Sequence, residues 1–190
     1  KVPMKIFPSM HYSMGGLWVD YDQMSNIKGL FAAGECEYQY HGANRLGANS
    51  LLSCIHGGFV AGPASVQYIS GLENLPSAAL MMESEAKLQR SLNAAVAANE
   101  GGESPYALWD EMGKNMSENV MVIRDNKKLA RTDEKLVELL DRLRNATIPD
   151  RGDFNNQSLM FARQLENMMH LARVITVGAL HRNESRGAHY

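Results

Sequence analysis

Two stretches near the start of the chain carry the residue types that handle anions. His11 precedes Met14, Gly15 and Gly16 in HYSMGG, and Arg45 lies inside HGANRLGANS, His41 to Ser50, among Gly, Ala, Asn and Ser. A guanidinium presents five donors in a rigid fork that matches a carboxylate or a phosphate, and small neighbours let a ligand reach backbone and guanidinium together. The other reading of Arg45 is a cation held by a nearby Asp or Glu. His11 can donate to an anionic oxygen while the glycines after it let a flat ligand lie against the backbone, or it can be an ordinary hydrogen-bonded histidine. Glu35 follows the apolar run GLFAAG. At the carboxyl edge of a sheet such a carboxylate accepts from sugar hydroxyls; in a loop it is merely solvated. Ser50 and Leu51 open a helical pattern, so their N–H groups sit at its positive end and can hold an anion or a carbonyl that gains negative charge; a plain helix cap is the alternative.

The elements that must position these residues differ along the chain. Most of the glycines fall before residue 73, where LWVDY (Leu17 to Tyr21) and GLFAAG (Gly29 to Gly34) read as short buried strands bounded by turn residues. From Asn49 or Ser50 the pattern becomes helical, with Gly57, Gly58, Ala61 and Gly62 allowing close approach of a neighbour and Pro63 expected to bend or interrupt the helix. Four amphipathic stripes follow. The first carries Leu80, Leu88, Leu92, Ala95 and Val96 and ends near Glu100; the second opens at Ser104-Pro105 and carries Leu108, Trp109, Met112 and Met116. The third runs through Leu129, Leu136, Leu139, Leu140 and Leu143, and the fourth from Asn155 or Asn156 through Leu165, Met168, Met169, Ala172, Ile175 and Ala179. Four such stripes with short connections predict an antiparallel helical bundle over residues 76–190, with most of the 12 Met residues filling its core.

Composition excludes several classes. At 190 residues, 45% hydrophobic, with a formal net charge of −2, the chain can bury one sizeable core or two small ones. Scattered Lys and Arg give no basic face for nucleic acid and no polybasic membrane anchor. No apolar run approaches the roughly 18 residues that span a bilayer. Cys36 and Cys54 lack the spacing of a disulfide framework or a metal site, which predicts buried thiols in a reducing compartment.

The order HYSMGG, then GLFAAGE, then HGANRLGANSLL, closing with ALHRNESRGAH, resembles the flavoprotein subunit of succinate dehydrogenase and fumarate reductase over essentially the whole chain. Met14 and Gly47-Ala48 favour these dicarboxylate enzymes over the related L-aspartate oxidases. Ser13 replaces the commoner Thr and keeps a hydroxyl.

The resemblance implies that His11 and Arg45 bind a carboxylate of succinate or fumarate, that Glu35, Ser50 and Leu51 contact FAD, and that Met14, Gly15 and Gly16 lie near the flavin ring. It implies no catalytic residue and no metal ligand in this chain, the proton-transfer arginine and the GxGxxG pyrophosphate loop lying upstream of Lys1. The fold implied is mostly α with a small α/β part: residues 1–75 as the returning segment of a Rossmann-like FAD-binding domain, then the bundle. The resemblance further implies an iron-sulfur partner subunit and, through it, a membrane anchor subunit at the cytoplasmic face of the membrane. The chain opens without Met and stops directly after a helical pattern. It therefore reads as an excised piece, expected to be inactive and to hold FAD weakly by itself. A reading from another class keeps these residues in a non-catalytic protein whose helical faces dock a neighbour and whose His181, Arg182, Arg186 and His189 are packing or surface charges.

Overall fold

Five helices form where the periodicity places them: α1 (Asn49–Ser70), α2 (Ala78–Ala97), α3 (Pro105–Asn119), α4 (Asn126–Arg144) and α5 (Gln157–His181). A computed structural model describes residues 3–4, 11–75, 77–97, 101–152 and 154–190, and the chain divides into two compact units, Lys1–Leu75 and Pro76–Tyr190. The expected helix end at Glu100, the boundary residue Pro76, and the side chains of Leu92, Ala95 and Val96 lie outside what is described. Among the described residues no helix is long and apolar enough to cross a membrane.

The helices of the second unit start at side-chain caps. Ser104 Oγ accepts from the Tyr106 N–H ahead of Pro105, Asp125 accepts from the N–H groups of Lys127 and Lys128, and Asn156 accepts from Leu159. Each cap satisfies a donor that the first helical turn leaves over. Tyr106 stacks on Phe161 near the starts of α3 and α5, and Thr176 Oγ1 reaches Met116 near their ends, so these two helices run parallel. α4 runs against both: Arg142 in its last turn binds Glu103 and Glu111, while Asp133 near its start binds Arg173 of α5.

Leu108, Met112, Leu136, Leu139, Leu165, Met169 and Ala172 make the main core, and Val120, Leu129 and Ala179 continue it, with Met116 packed against both groups. The buried positions of α5 step as 165, 169, 172, 176 and 179, one stripe of a 3.6-residue helix. The described buried residues of this core come mainly from α3, α4 and α5, and the α2 side chains from Ala78 to Ser91 are exposed. Core filling by Met holds for Met112, Met116 and Met169, whereas Met81, Met82, Met160 and Met168 face solvent, as do Trp109 and Ile175.

The first unit departs further from expectation. Neither LWVDY nor GLFAAG extends into a strand; both make single bridges, Leu17 with Glu37, Val19 with Ser25, and Met24 with Phe31. Two local interactions end the pairing. Asp20 Oδ1 captures the N–H groups of Asp22 and Met24. Gly34 at φ +84° then turns the chain into a 3-10 turn, Gly34–Cys36, so Glu35 sits in a turn and not at a strand end. Pro63 lies inside α1 without ending it, losing only the bond its missing N–H would make. Gly57 packs on Ala33 and Gly34, while Gly58 and Gly62 face open space. Cys36 is exposed and Cys54 half-buried, against the expectation of two buried thiols.

The bundle generates two predictions. Leu108 is fully buried in the main core, so Leu108→Ala should destabilise the chain by about 2–5 kcal/mol, read from the midpoint of urea unfolding. Arg142 and then Lys135 hydrogen-bond Glu111 and hold its carboxyl below the ordinary 4.5. Because the folded value is depressed, the stabilisation is present above pH 4.5 and fades as pH falls through the lower folded value. With about a third of each side chain exposed, the pair should be worth no more than about 1 kcal/mol. Thermal melts of native protein and Glu111→Gln should therefore differ at pH 6 and converge toward pH 3.

Candidate functional site

The site is assembled by a backbone crossing. Leu17 N–H donates to the Cys36 carbonyl at 2.8 Å, and Tyr38 N–H donates to the Leu17 carbonyl at 3.2 Å. A Cβ on Gly16 would run into the Cys36 carbonyl, so only glycine lets the two segments approach this closely. Gly15 has open space where its Cβ would be. The same crossing brings the Ser13 N–H to Glu35 Oε1 at 2.7 Å. Glu35 thus has one carboxylate oxygen engaged by the HYSMGG segment while the side chain remains exposed.

Arg45 and Tyr12 meet next. The Arg45 guanidinium carbon lies 5.0 Å from the centre of the Tyr12 ring, and Nη1 donates to the Leu46 carbonyl at 3.1 Å. Arg45 Nε is buried with no acceptor. Among the described residues no carboxylate pairs with Arg45. His11, next to Tyr12, is exposed and makes none of the described hydrogen bonds; no direct contact joins it to Arg45.

α1 starts without a side-chain cap. Its N-cap residue is Ala48, held left-handed at φ +64°, so Ser50 and Leu51 occupy the first turn with N–H groups that no side chain satisfies. Ser50 is half-buried, and Leu51, Leu52 and Ile55 are exposed. A positive helix end, apolar side chains beside it, a glycine with open space, and a carboxylate with one oxygen to spare fit the ring, ribityl and sugar parts of a flavin dinucleotide. Met14 is half-buried and Gly15 exposed in the same segment.

Several residues here were not singled out from sequence. His41 Nε2 lies 3.0 Å from Ser53 Oγ, and its ring meets Tyr12 edge-on at 5.2 Å. Gln23 is buried with φ +66° and donates to the Tyr40 hydroxyl, while burial and then Glu37 push the Tyr40 pKa up. These contacts join residues 12 to 29 positions apart, beyond the reach of local pattern.

The carboxyl-terminal motif does something different. Arg124 N–H donates to the Tyr190 carbonyl, Tyr190 N–H donates to the Val122 carbonyl, and Arg124 Nη1 lies 3.0 Å from His189 Nδ1. Burial, then Arg124 and Arg182, hold the His189 pKa below its ordinary value, so a neutral imidazole accepts from Arg124. Arg182 pairs with Glu184. The ESRGAH end is thus a strap closing the α3–α4 loop, as the packing reading of these residues expects. No group of three or more metal-ligating side chains gathers among the described residues.

Comparison with known proteins follows the same division. Residues 109–190 match the family model for the fumarate reductase flavoprotein C-terminus, and residues 2–51 match an FAD-binding domain. The chain is 55% identical over its whole length to the succinate dehydrogenase flavoprotein subunit of Bacillus subtilis, covering 33% of that protein. Against the fumarate reductase flavoprotein subunit of Escherichia coli it is 35% identical, covering 31%. Among solved structures, E. coli quinol fumarate reductase matches 94% of this chain and 30% of its own with a TM-score of 0.87 at 34% identity. The Mycobacterium smegmatis Sdh1 complex in the apo form gives 0.85 at the same identity and coverage. The chain spans about a third of the length of the curated relatives it matches.

The two glycines of HYSMGG should separate in mutagenesis. Gly16→Ala should force the crossing apart and cost about 1–3 kcal/mol, whereas Gly15→Ala should change stability by less than about 0.5 kcal/mol. Amide exchange at Leu17 and Tyr38, whose N–H groups make the crossing, reads the difference directly.

Proposed function

The chain belongs to the flavoprotein family of succinate dehydrogenases and fumarate reductases, and from that premise we propose that its first unit supplies the carboxylate grip and part of the flavin cradle of an enzyme interconverting succinate and fumarate. One observation carries this reading. Arg45 is half-buried on an aromatic ring with donors left over and no carboxylate of its own, an arrangement that an incoming carboxylate completes. His11, exposed beside Tyr12, would donate to the same end of the substrate.

FAD, when bound, supplies the two-electron acceptor for the hydride leaving a succinate methylene. This chain's residues bind and orient. Arg45 and His11 fix one carboxylate so that the carbon to be oxidised faces the flavin, turning an encounter into an oriented reaction. The uncapped start of α1, with Ser50 and Leu51, would offer positive potential to negative charge on a bound flavin. Glu35, with Ser13 N–H on one oxygen, accepts a sugar hydroxyl on the other. Gly15, with open space at its Cβ position, and Met14 would line the ring. The proton leaving the neighbouring carbon goes to a group outside this chain.

Succinate oxidation is the favoured direction. The identity to the B. subtilis succinate dehydrogenase subunit is 55%, against 37% to the fumarate reductase subunit of a Serratia strain, which supports that choice. Electrons would pass to an iron-sulfur subunit and onward to a membrane anchor at the cytoplasmic face, the assembly in which such flavoproteins work.

Arg45→Lys in the full-length flavoprotein tests the grip. Lysine keeps the charge but not the fork. FAD content should be native, and kcat/KM for succinate should fall by the equivalent of at least one charge-assisted hydrogen bond, about 1.5–3 kcal/mol. Native kcat/KM in steady-state assays would remove Arg45 from the substrate site.

A further inference from the structure

We propose that Tyr12 is a positioning residue for the substrate grip: its ring carries the Arg45 guanidinium, and His41, anchored to Ser53 in the first turns of α1, holds the ring in place. The proposal rests on the reading of Arg45 as the carboxylate-binding group and goes beyond it by assigning what aims the fork.

A side chain with as many rotamers as arginine gives a bidentate grip only if something fixes its plane before the ligand arrives. No carboxylate among the described residues does this for Arg45. The Leu46 carbonyl takes one donor, and the remaining support is the Tyr12 ring, 5.0 Å from the guanidinium carbon. The negative face of an aromatic ring attracts the cation without using any of its N–H groups. A carboxylate in the same place would occupy the fork and compete with substrate. An aromatic support therefore orders the arginine and leaves its donors free.

The ring is itself held. Ser53 is buried, and its Oγ donates to the Ser50 carbonyl at 2.8 Å, so the oxygen is left to accept. His41 Nε2 at 3.0 Å is placed to donate to it, which assigns the proton to Nε2. The His41 ring then meets Tyr12 edge-on, with centres 5.2 Å apart and planes at 84°. The Tyr12 hydroxyl reaches Ser53 only at 3.5 Å, a weak contact. The ring should matter, then, and the hydroxyl should matter little. Tyr12 touches neither substrate nor cofactor in this scheme and acts through Arg45.

The test uses the full-length, FAD-loaded flavoprotein, with malonate as a dicarboxylate that has no second methylene to oxidise. Calorimetric Kd for malonate, KM and kcat for succinate, and flavin absorbance are measured for Tyr12→Phe, Tyr12→Leu, Arg45→Lys and the Tyr12→Leu/Arg45→Lys pair. Tyr12→Leu should raise Kd and KM about tenfold with kcat within about twofold and full FAD, while Tyr12→Phe stays within about twofold throughout. The double variant should bind malonate about as poorly as Arg45→Lys alone, because Tyr12 works only through Arg45. Should Tyr12→Leu fail to fold, a pentafluorophenylalanine at position 12 keeps the shape and reverses the ring's charge distribution, and it should weaken malonate binding where Tyr12→Phe does not. Native binding in the leucine or pentafluoro variant, or equal damage from Phe and Leu, overturns the proposal. Weaker malonate binding in Arg45→Lys alongside native binding in Tyr12→Leu rejects the positioning role alone, and native binding in Arg45→Lys rejects the carboxylate grip beneath it.

Discussion

The first unit depends on a contact that is tolerable only without a side chain. Gly16 lies against the Cys36 carbonyl, and the hydrogen bonds of Leu17 and Tyr38 close the crossing on either side. From this one approach follow the Ser13 to Glu35 bond, the departure of the chain after Glu37 toward the HGANR segment, and the placement of Tyr12 where Arg45 can cover it. A methyl group at residue 16 would meet backbone atoms that cannot rotate away. The crossing therefore sets the geometry of the site without touching a ligand.

The two units are held by different forces. In the helical unit Leu108, Leu129, Leu136, Leu139, Leu165 and Met169 are wholly buried, enough apolar surface to order the helices by packing. In the first unit Val19 and Ala32 are the only buried hydrophobic residues described, beside the buried polar Gln23, Glu37 and Ser53. Its order comes from backbone pairing and from polar contacts such as Gln23 to Tyr40 and Gln39 N–H to Glu37. Along α1 the apolar residues Leu51, Leu52, Ile55, Phe59, Val66 and Ile69 all remain exposed.

That difference explains what was legible in the sequence. Helices α3 to α5 could be read because one rule, apolar residues at 3.6 spacing bounded by caps, decides both their existence and their buried face; Ser104, Pro105 and Asn156 stand where that rule puts them. For α2 it placed the helix, while Leu80 and Leu88 of its stripe are exposed, since an apolar stripe says that a face can be buried and not that a neighbour covers it. The strands failed for another reason. LWVDY and GLFAAG have the right composition, but the Asp20 carboxylate and the left-handed Gly34 turn the chain before a ladder can form. Arg45, His11 and Glu35 stood out by type and motif, whereas Tyr12, His41 and Ser53 join through contacts 12 to 41 residues apart and carried no local signal.

Charge pairing separates the cations of the helical unit from Arg45. In the helical unit Arg142 meets Glu103, Glu111 and Glu138, Lys135 meets Glu111 and Glu138, Arg173 meets Asp133, and Arg182 meets Glu184. Such pairs fix helix ends and faces, and they leave the donors committed. Arg45 is ordered by a ring and one carbonyl, neither of which neutralises it. A half-buried guanidinium kept in that state is less stable than one given a carboxylate, because its remaining donors lack partners in a region of reduced solvation. Among the described residues of the first unit no carboxylate removes that deficit. Under the proposed grip an entering anion would recover that free energy, and the part of it expressed on binding would go into orienting the anion rather than into the fold.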